Sequence, residues 1–88
     1  MGYSVEYTQQ AVKELGKLDR HTRKLILAWV EKHLVGCADP RQHGKALTAN
    51  HSGQWRYRVG DYRLLAEIQD NRVVILVLTI GHRRKIYN

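Results

Sequence analysis

The chain has 88 residues, room for one domain and too little for two. Its 15 lysines and arginines against 8 acidic residues give a net charge of +7, which calls for an anionic partner: nucleic acid, an acidic protein or a membrane surface. A single cysteine excludes an intrachain disulfide and fits a reducing, cytoplasmic setting; the 5 histidines show no metal-ligand spacing, so no metal or other cofactor is expected.

The opening MGYSVEYTQQ has neither a basic start nor an apolar run, so no export signal is expected. Tyr3, Val5 and Tyr7 alternate with Ser4 and Glu6, the period of a half-buried strand. Thr8 can cap a helix whose apolar stripe is Ala11, Val12, Leu15 and Leu18. Asp19 can cap a second helix, with Leu25, Ile26, Trp29, Val30 and Leu34 inward. Arg20, Arg23, Lys24, Glu31 and Lys32 are expected outward, and Gly36 suits the C-terminal end. Residues 37–53 read as one connection, pinned to the core by Leu47, with Cys37 structural and with His43, Lys45 and His51 within reach of a ligand.

Strands follow. Trp55, Tyr57 and Val59 alternate with Arg56 and Arg58, and Gly60-Asp61 fits a two-residue type II′ hairpin loop. Tyr62 to Gln69 is the return strand, Asp70-Asn71 a second tight turn, and Arg72 to Gly81 the third strand of the meander. Its apolar run Val73 to Leu78 is too short for a membrane span and predicts a central strand covered on both faces. The order β-α-α-β-β-β predicts a single α+β domain over residues 1–88, with two N-terminal helices packed on one face of a mostly antiparallel four-stranded sheet. The helices and sheet fill one core with no apolar patch left over, so the chain is expected to be a monomer by itself.

Alternation turns Arg56 and Arg58 away from the helices. Arg63 lies just past the hairpin, and Arg83, Arg84 and Lys85 come just after the last strand. Such a cluster repels itself and calls for an anion, and paired guanidinium hydrogen bonds suit phosphate. Tyr87 could stack on a base. The alternative is a solvated basic face with Arg63 paired to Glu67 or Asp61. With no carboxylate pair, nucleophile triad or glycine-rich loop, spacing alone points to phosphate binding rather than to catalysis.

WRYRVGDYRLL, followed by an apolar strand and IGHRRKIY, resembles the RelE/ParE superfamily of bacterial toxins from toxin–antitoxin pairs. The likeness extends to YSVEYTQQAVKELGKLD, to the second helix and to GKALTANHSGQWRYRVGDYRLL, and so covers nearly the whole chain. The resemblance implies an mRNA interferase of the RelE type. Such a toxin is a metal-independent endoribonuclease that enters the ribosomal A site and cuts mRNA by attack of the ribose 2′-OH on the adjacent phosphorus. It implies the ribosome, its rRNA and mRNA as partners, with no membrane involved. A cognate antitoxin would wrap around the toxin and hold it inactive in a hetero-oligomer. The catalytic set carried over by the resemblance is Arg63, Arg83, Tyr87, Arg58 and Arg56, with Arg84, Lys85 and Lys45 as RNA-binding residues. One departure stands out: the best-known RelE-type toxins carry lysines where this chain has Arg56 and Arg58, and arginine cannot act as a general base. His82 is then the candidate general acid or base, although its parity is opposite to that of Arg83. Superfamily members can carry a further C-terminal helix; here the chain is short after Tyr87, so that end is expected to be open and an antitoxin segment could cover it. A gyrase-inhibiting toxin of the ParE type, without RNA cleavage, and a non-catalytic basic binding protein are the alternatives.

Overall fold

The structure, a computed structural model, describes residues 2–47 and 53–85. The elements run β1 (Ser4–Tyr7), α1 (Gln9–Lys17), α2 (Arg20–His33), β2 (Lys45–Ala46), β3 (Trp55–Val59), β4 (Tyr62–Gln69) and β5 (Val74–His82). They form a five-stranded sheet in the order β1-β5-β4-β3-β2. β1 runs parallel to β5, and the other neighbours are antiparallel. The predicted α+β class and helix pair are found, with one strand more than the four expected. No helix among the described residues is long and apolar enough to cross a membrane.

Local chemistry explains the boundaries. Thr8 is extended (φ −69°, ψ 163°), and its hydroxyl accepts the Ala11 N–H at 3.1 Å. Asp19 accepts the Thr22 hydroxyl at 2.5 Å and the Thr22 N–H at 3.0 Å, and these bonds hold its carboxyl below the usual range. After α2 the chain turns through Gly36 at φ 77°, a left-handed conformation that suits glycine. Gly60 sits at φ 59° while Asp61 keeps a negative φ, as a type II′ turn requires.

Both helices lie on one side of the sheet. Ala11 and Leu15 of α1 and Ile26 and Val30 of α2, with Leu34 just beyond it, meet Tyr57, Val59, Leu64, Ala66, Ile75, Val77 and Ile80. Tyr57 is fully buried, and its hydroxyl donates to the Pro40 carbonyl at 2.6 Å. Trp29 packs on the core beside it, with ring centroids 5.8 Å apart.

β1 stops opposite Val77, halfway along β5. Beyond that point α1 takes over the edge. Thr8 donates its N–H to the Val77 carbonyl at 3.0 Å and its hydroxyl to the Leu78 carbonyl at 2.7 Å. Glu14 Oε1 accepts the Ile80 N–H at 2.8 Å and the Thr79 hydroxyl at 2.7 Å. A carboxylate therefore stands where a neighbouring strand would otherwise bond.

Several expectations are corrected. Residues 37–53 are not a plain connection, because β2 lies within them and pairs with β3. The second turn spans Asp70 to Val73, so the last strand begins at Val74 and not at Arg72. The centre of the sheet is β4; β5 lies between β4 and β1, and its Leu76 and Leu78 are only half-buried because no helix covers that side. Val12 and Leu25 are 56% and 52% exposed, and Leu27 and Val35 are exposed too, so apolar surface does remain outside the core. Arg23 points inward: its Nε donates to the Leu15 carbonyl at 3.2 Å and its NH2 to the Leu18 carbonyl at 3.0 Å, capping the end of α1 from α2.

Candidate functional site

The face away from the helices is built by the alternation that builds the core. With Tyr57 and Val59 inward, Arg56 and Arg58 must point the other way. On β4, Leu64 and Ala66 are inward, so Arg63, Leu65 and Glu67 share the arginine face. Register then decides who meets whom. Arg58 stands directly opposite Arg63, and Lys45 directly opposite Arg56. The two-residue turn makes Val59 and Tyr62 the closing pair. Arg58 and Arg63 therefore fall at a non-hydrogen-bonded pair, where opposed Cα atoms are about 4.5 Å apart and side chains are closest. Two pairs of like charges thus lie in successive rows, an arrangement that favours an anion between them.

Arg63 is the anchor. It is only 8% exposed, and its NH1 donates to the carbonyls of Gly60 and Tyr62, both at 3.0 Å. The guanidinium is thereby fixed over the hairpin turn. Opposite it on β5 lies Gly81, which adds no side chain to the surface. Leu65, 3% exposed, sits between Arg56 and Thr79 in the next row and gives the face an apolar floor.

Arg83 reaches the same end of the sheet. Its N–H donates to the Asp61 carbonyl at 2.8 Å, and its Nε lies 4.0 Å from Asp61 Oδ1. Arg84 and Lys85 follow in an exposed turn closed by a 2.9 Å bond from the Lys85 N–H to the His82 carbonyl. His82 goes elsewhere: it pairs with Tyr62, their rings packed edge-to-face at 5.5 Å, on the helix side of the sheet. Its Nδ1 accepts the Arg84 N–H at 3.2 Å. Tyr87 and His51 lie outside the described residues. His43 faces α2, with its ring 4.9 Å from that of His33 and its carbonyl accepting Trp55 Nε1 at 2.6 Å.

Five of the expected residues are therefore brought to one face or its rim: Arg56, Arg58, Arg63, Lys45 and Arg83. The place of Lys45 was hidden because a two-residue strand leaves no periodicity. Glu67 shares the face, and its parity with Arg63 was the available signal. No group of three or more His, Cys, Asp or Glu residues among the described residues is arranged to hold a metal. Burial, and then Asp39, push the Cys37 thiol up, away from reactive thiolate character. A groove of about 350 Å³ runs on the helix side, lined by Leu25, Trp29, Lys32, His33, Val59 and Gly60 among others. The arginines are not part of it.

The ParE toxin family of type II toxin–antitoxin systems (parDE) matches residues 5–87. The chain belongs to that family. As a toxin it is 35% identical to Toxin RelG of Mycobacterium tuberculosis (strain ATCC 25618 / H37Rv) over 99% of this chain and 98% of the relative. In structure it is similar to the toxin–antitoxin complex RelBE2 of the same species, with a TM-score of 0.85 and 29% identity over 94% of this chain and 93% of that one. The free E. coli toxin RelE, in a doubly arginine-substituted form, has the same fold at 19% identity, with a TM-score of 0.72 over 99% of this chain and 90% of that one. The toxin is thus a member of the RelE/ParE superfamily of toxin–antitoxin pairs.

Proposed function

We propose that this toxin is a metal-independent endoribonuclease that cleaves mRNA in the ribosomal A site and is held inactive by a cognate antitoxin. The observation that carries the proposal is the two pairs of opposed cations, Arg58–Arg63 and Lys45–Arg56, on the open face of the sheet. A phosphodiester placed there relieves both repulsions at once. Arg63 is pre-positioned by the turn carbonyls, so it needs no reorganisation as charge grows on the non-bridging oxygens. Arg83, at the rim beside Asp61, adds a second guanidinium to that charge. The ribose 2′-OH is an internal nucleophile, so the reaction needs only alignment, charge stabilisation and proton transfer. Arg56, Arg58 and Lys45 hold the backbone, Arg84 and Lys85 extend the contact towards rRNA and mRNA, and Tyr87 aligns a base. The solved RelBE2 complex supports an antitoxin partner for this chain, and a toxin whose targets are ribosomes and mRNA belongs in the cytoplasm.

The match to ParE toxins favours a second reading, a gyrase-directed toxin without RNA chemistry. Primer extension on cellular mRNA after induction separates the two. Wild type is expected to create new 5′ ends inside translated codons. The Arg63→Lys, Arg83→Ala double variant, shown folded by circular dichroism, is expected to lose them. Growth arrest by wild type without new ends would remove the nuclease reading and leave the gyrase-directed one.

A further inference from the structure

The endoribonuclease reading leaves one role unfilled, the group that takes the 2′-OH proton. Neither Arg56, Arg58 nor Arg63 can take it, because a guanidinium stays protonated. His82 lies on the other side of the sheet, its ring on Tyr62 and its Nδ1 on the Arg84 N–H. We propose that Glu67 is the general base of this toxin, an assignment that rests on the endoribonuclease reading.

The geometry comes from register. Arg56 pairs with Leu65, so its two diagonal neighbours on β4 are Arg63 and Glu67. Diagonal residues on one face lie about 7–8 Å apart at the backbone. Arg56 therefore stands between the anchored guanidinium and a carboxylate, with the buried Leu65 beneath. On that face Glu67 occupies the row after Arg56, so a phosphate held by Arg56 and Arg63 lies on the row next to a carboxylate. Glu67 is exposed and also oriented. Gln69 Nε2 donates to its Oε1 at 2.7 Å, and Arg72 NH1 in turn donates to Gln69 Oε1 at 2.7 Å. Arg72 is tied to Glu6 of β1 at 3.3 Å, so the chain of contacts crosses to the far edge of the sheet. Among the described residues, Glu67 Oε2 accepts no hydrogen bond from this network. Arg56 stands diagonally across the ladder from Glu67, and Arg72 reaches the carboxylate through Gln69.

The step balances without a co-reactant. Glu67 takes the 2′-OH proton as the O2′–P bond forms. The P–O5′ bond breaks, its electron pair leaves on O5′, and O5′ takes a proton from solvent. The products are a 2′,3′-cyclic phosphate and a 5′-hydroxyl. A glutamate that served only as a counterion to Arg56 would change RNA binding. A base changes the chemical step and its pH dependence.

The test is single-turnover cleavage of mRNA on programmed ribosomes by purified wild type, Glu67→Gln and Glu67→Asp, each shown folded by circular dichroism. The Gln variant is expected to lose about 10²- to 10⁴-fold in cleavage rate with KM unchanged, and its log rate is expected to stop rising with pH on the acid side. The Asp variant, which keeps the carboxylate, should recover part of the rate and the pH dependence. A Gln variant that cleaves at the wild-type rate with the wild-type pH profile, or one that changes only KM, overturns the base assignment alone. Failure of wild type to cleave programmed ribosomes overturns the endoribonuclease reading and the assignment with it.

Discussion

Arg63 is the buried charged side chain of the described core, and the two carbonyls at its NH1 show how burial is tolerated. Lysine at that position keeps the charge but loses the planar fork. Arg63→Lys is expected to lower the cleavage rate by at least about 10²-fold, as removing one pre-positioned donor does elsewhere. Thermal unfolding of the same variant should show a loss of about 1 kcal/mol from the vacated carbonyls. Asp70 offers a test against pH. Arg41 holds it through both oxygens at 2.9 and 3.0 Å, Tyr3 donates to it at 2.7 Å, and these bonds hold its carboxyl down at about 2. A carboxyl lowered in the folded state stabilises fully above its unfolded value and loses that contribution as pH falls through the folded one. Melting temperature should therefore fall between about pH 4 and pH 2, and Asp70→Asn should flatten that part of the profile. Single residues were legible where alternation governs them: Arg56, Arg58 and the opposite parity of His82 follow from period two. The burial of Arg63 was not, because it depends on carbonyls that the turn alone brings within reach.

At the scale of elements, the turn between β4 and β5 stores strain. Val73, β-branched, sits at φ 56°, where its carbonyl accepts the Ser4 N–H at 3.0 Å and so starts β1. Such a residue in the left-handed region costs about 1–2 kcal/mol. Val73→Gly should stabilise the toxin by about 1 kcal/mol, a rise of about 4–8 °C in melting temperature by calorimetry. The two helices are joined by the reach of Arg23 to the end of α1. Urea unfolding of Arg23→Ala should show a loss of about 1–2 kcal/mol. Caps at Thr8 and Asp19 and the Gly60 turn were legible because each is a local contest between a side chain and a few backbone groups. The inward turn of Arg23 and the β2 pairing were not, since both need a partner distant in the chain. Val12 and Leu25 show a related limit: helical spacing names a stripe, but the breadth of the facing sheet decides how much of it is covered.

Over the whole molecule, the chain carries a net charge of +7, part of it on the open face of the sheet. Arg58 and Arg63 hold the row nearest the hairpin, Lys45 and Arg56 the next, and Glu67 and Glu6 the row after that. If all four cations neutralise phosphates, log affinity for single-stranded RNA should fall with log salt at a slope of about −3, and Arg58→Gln should reduce that slope by about 0.7. Filter binding across salt concentrations measures both. A slope indifferent to Arg58 would mean that RNA lies elsewhere.

The carboxylate of Glu14, lodged against Ile80 and Thr79, has a bearing on how such a toxin survives at high concentration. An uncovered strand edge is a template on which another copy can polymerise. One side chain from α1 removes that template from the second half of β5 without a further strand. The sheet thus ends there without a further strand and keeps its arginine face open. Strand-on-strand growth is resisted there by a single carboxylate of α1.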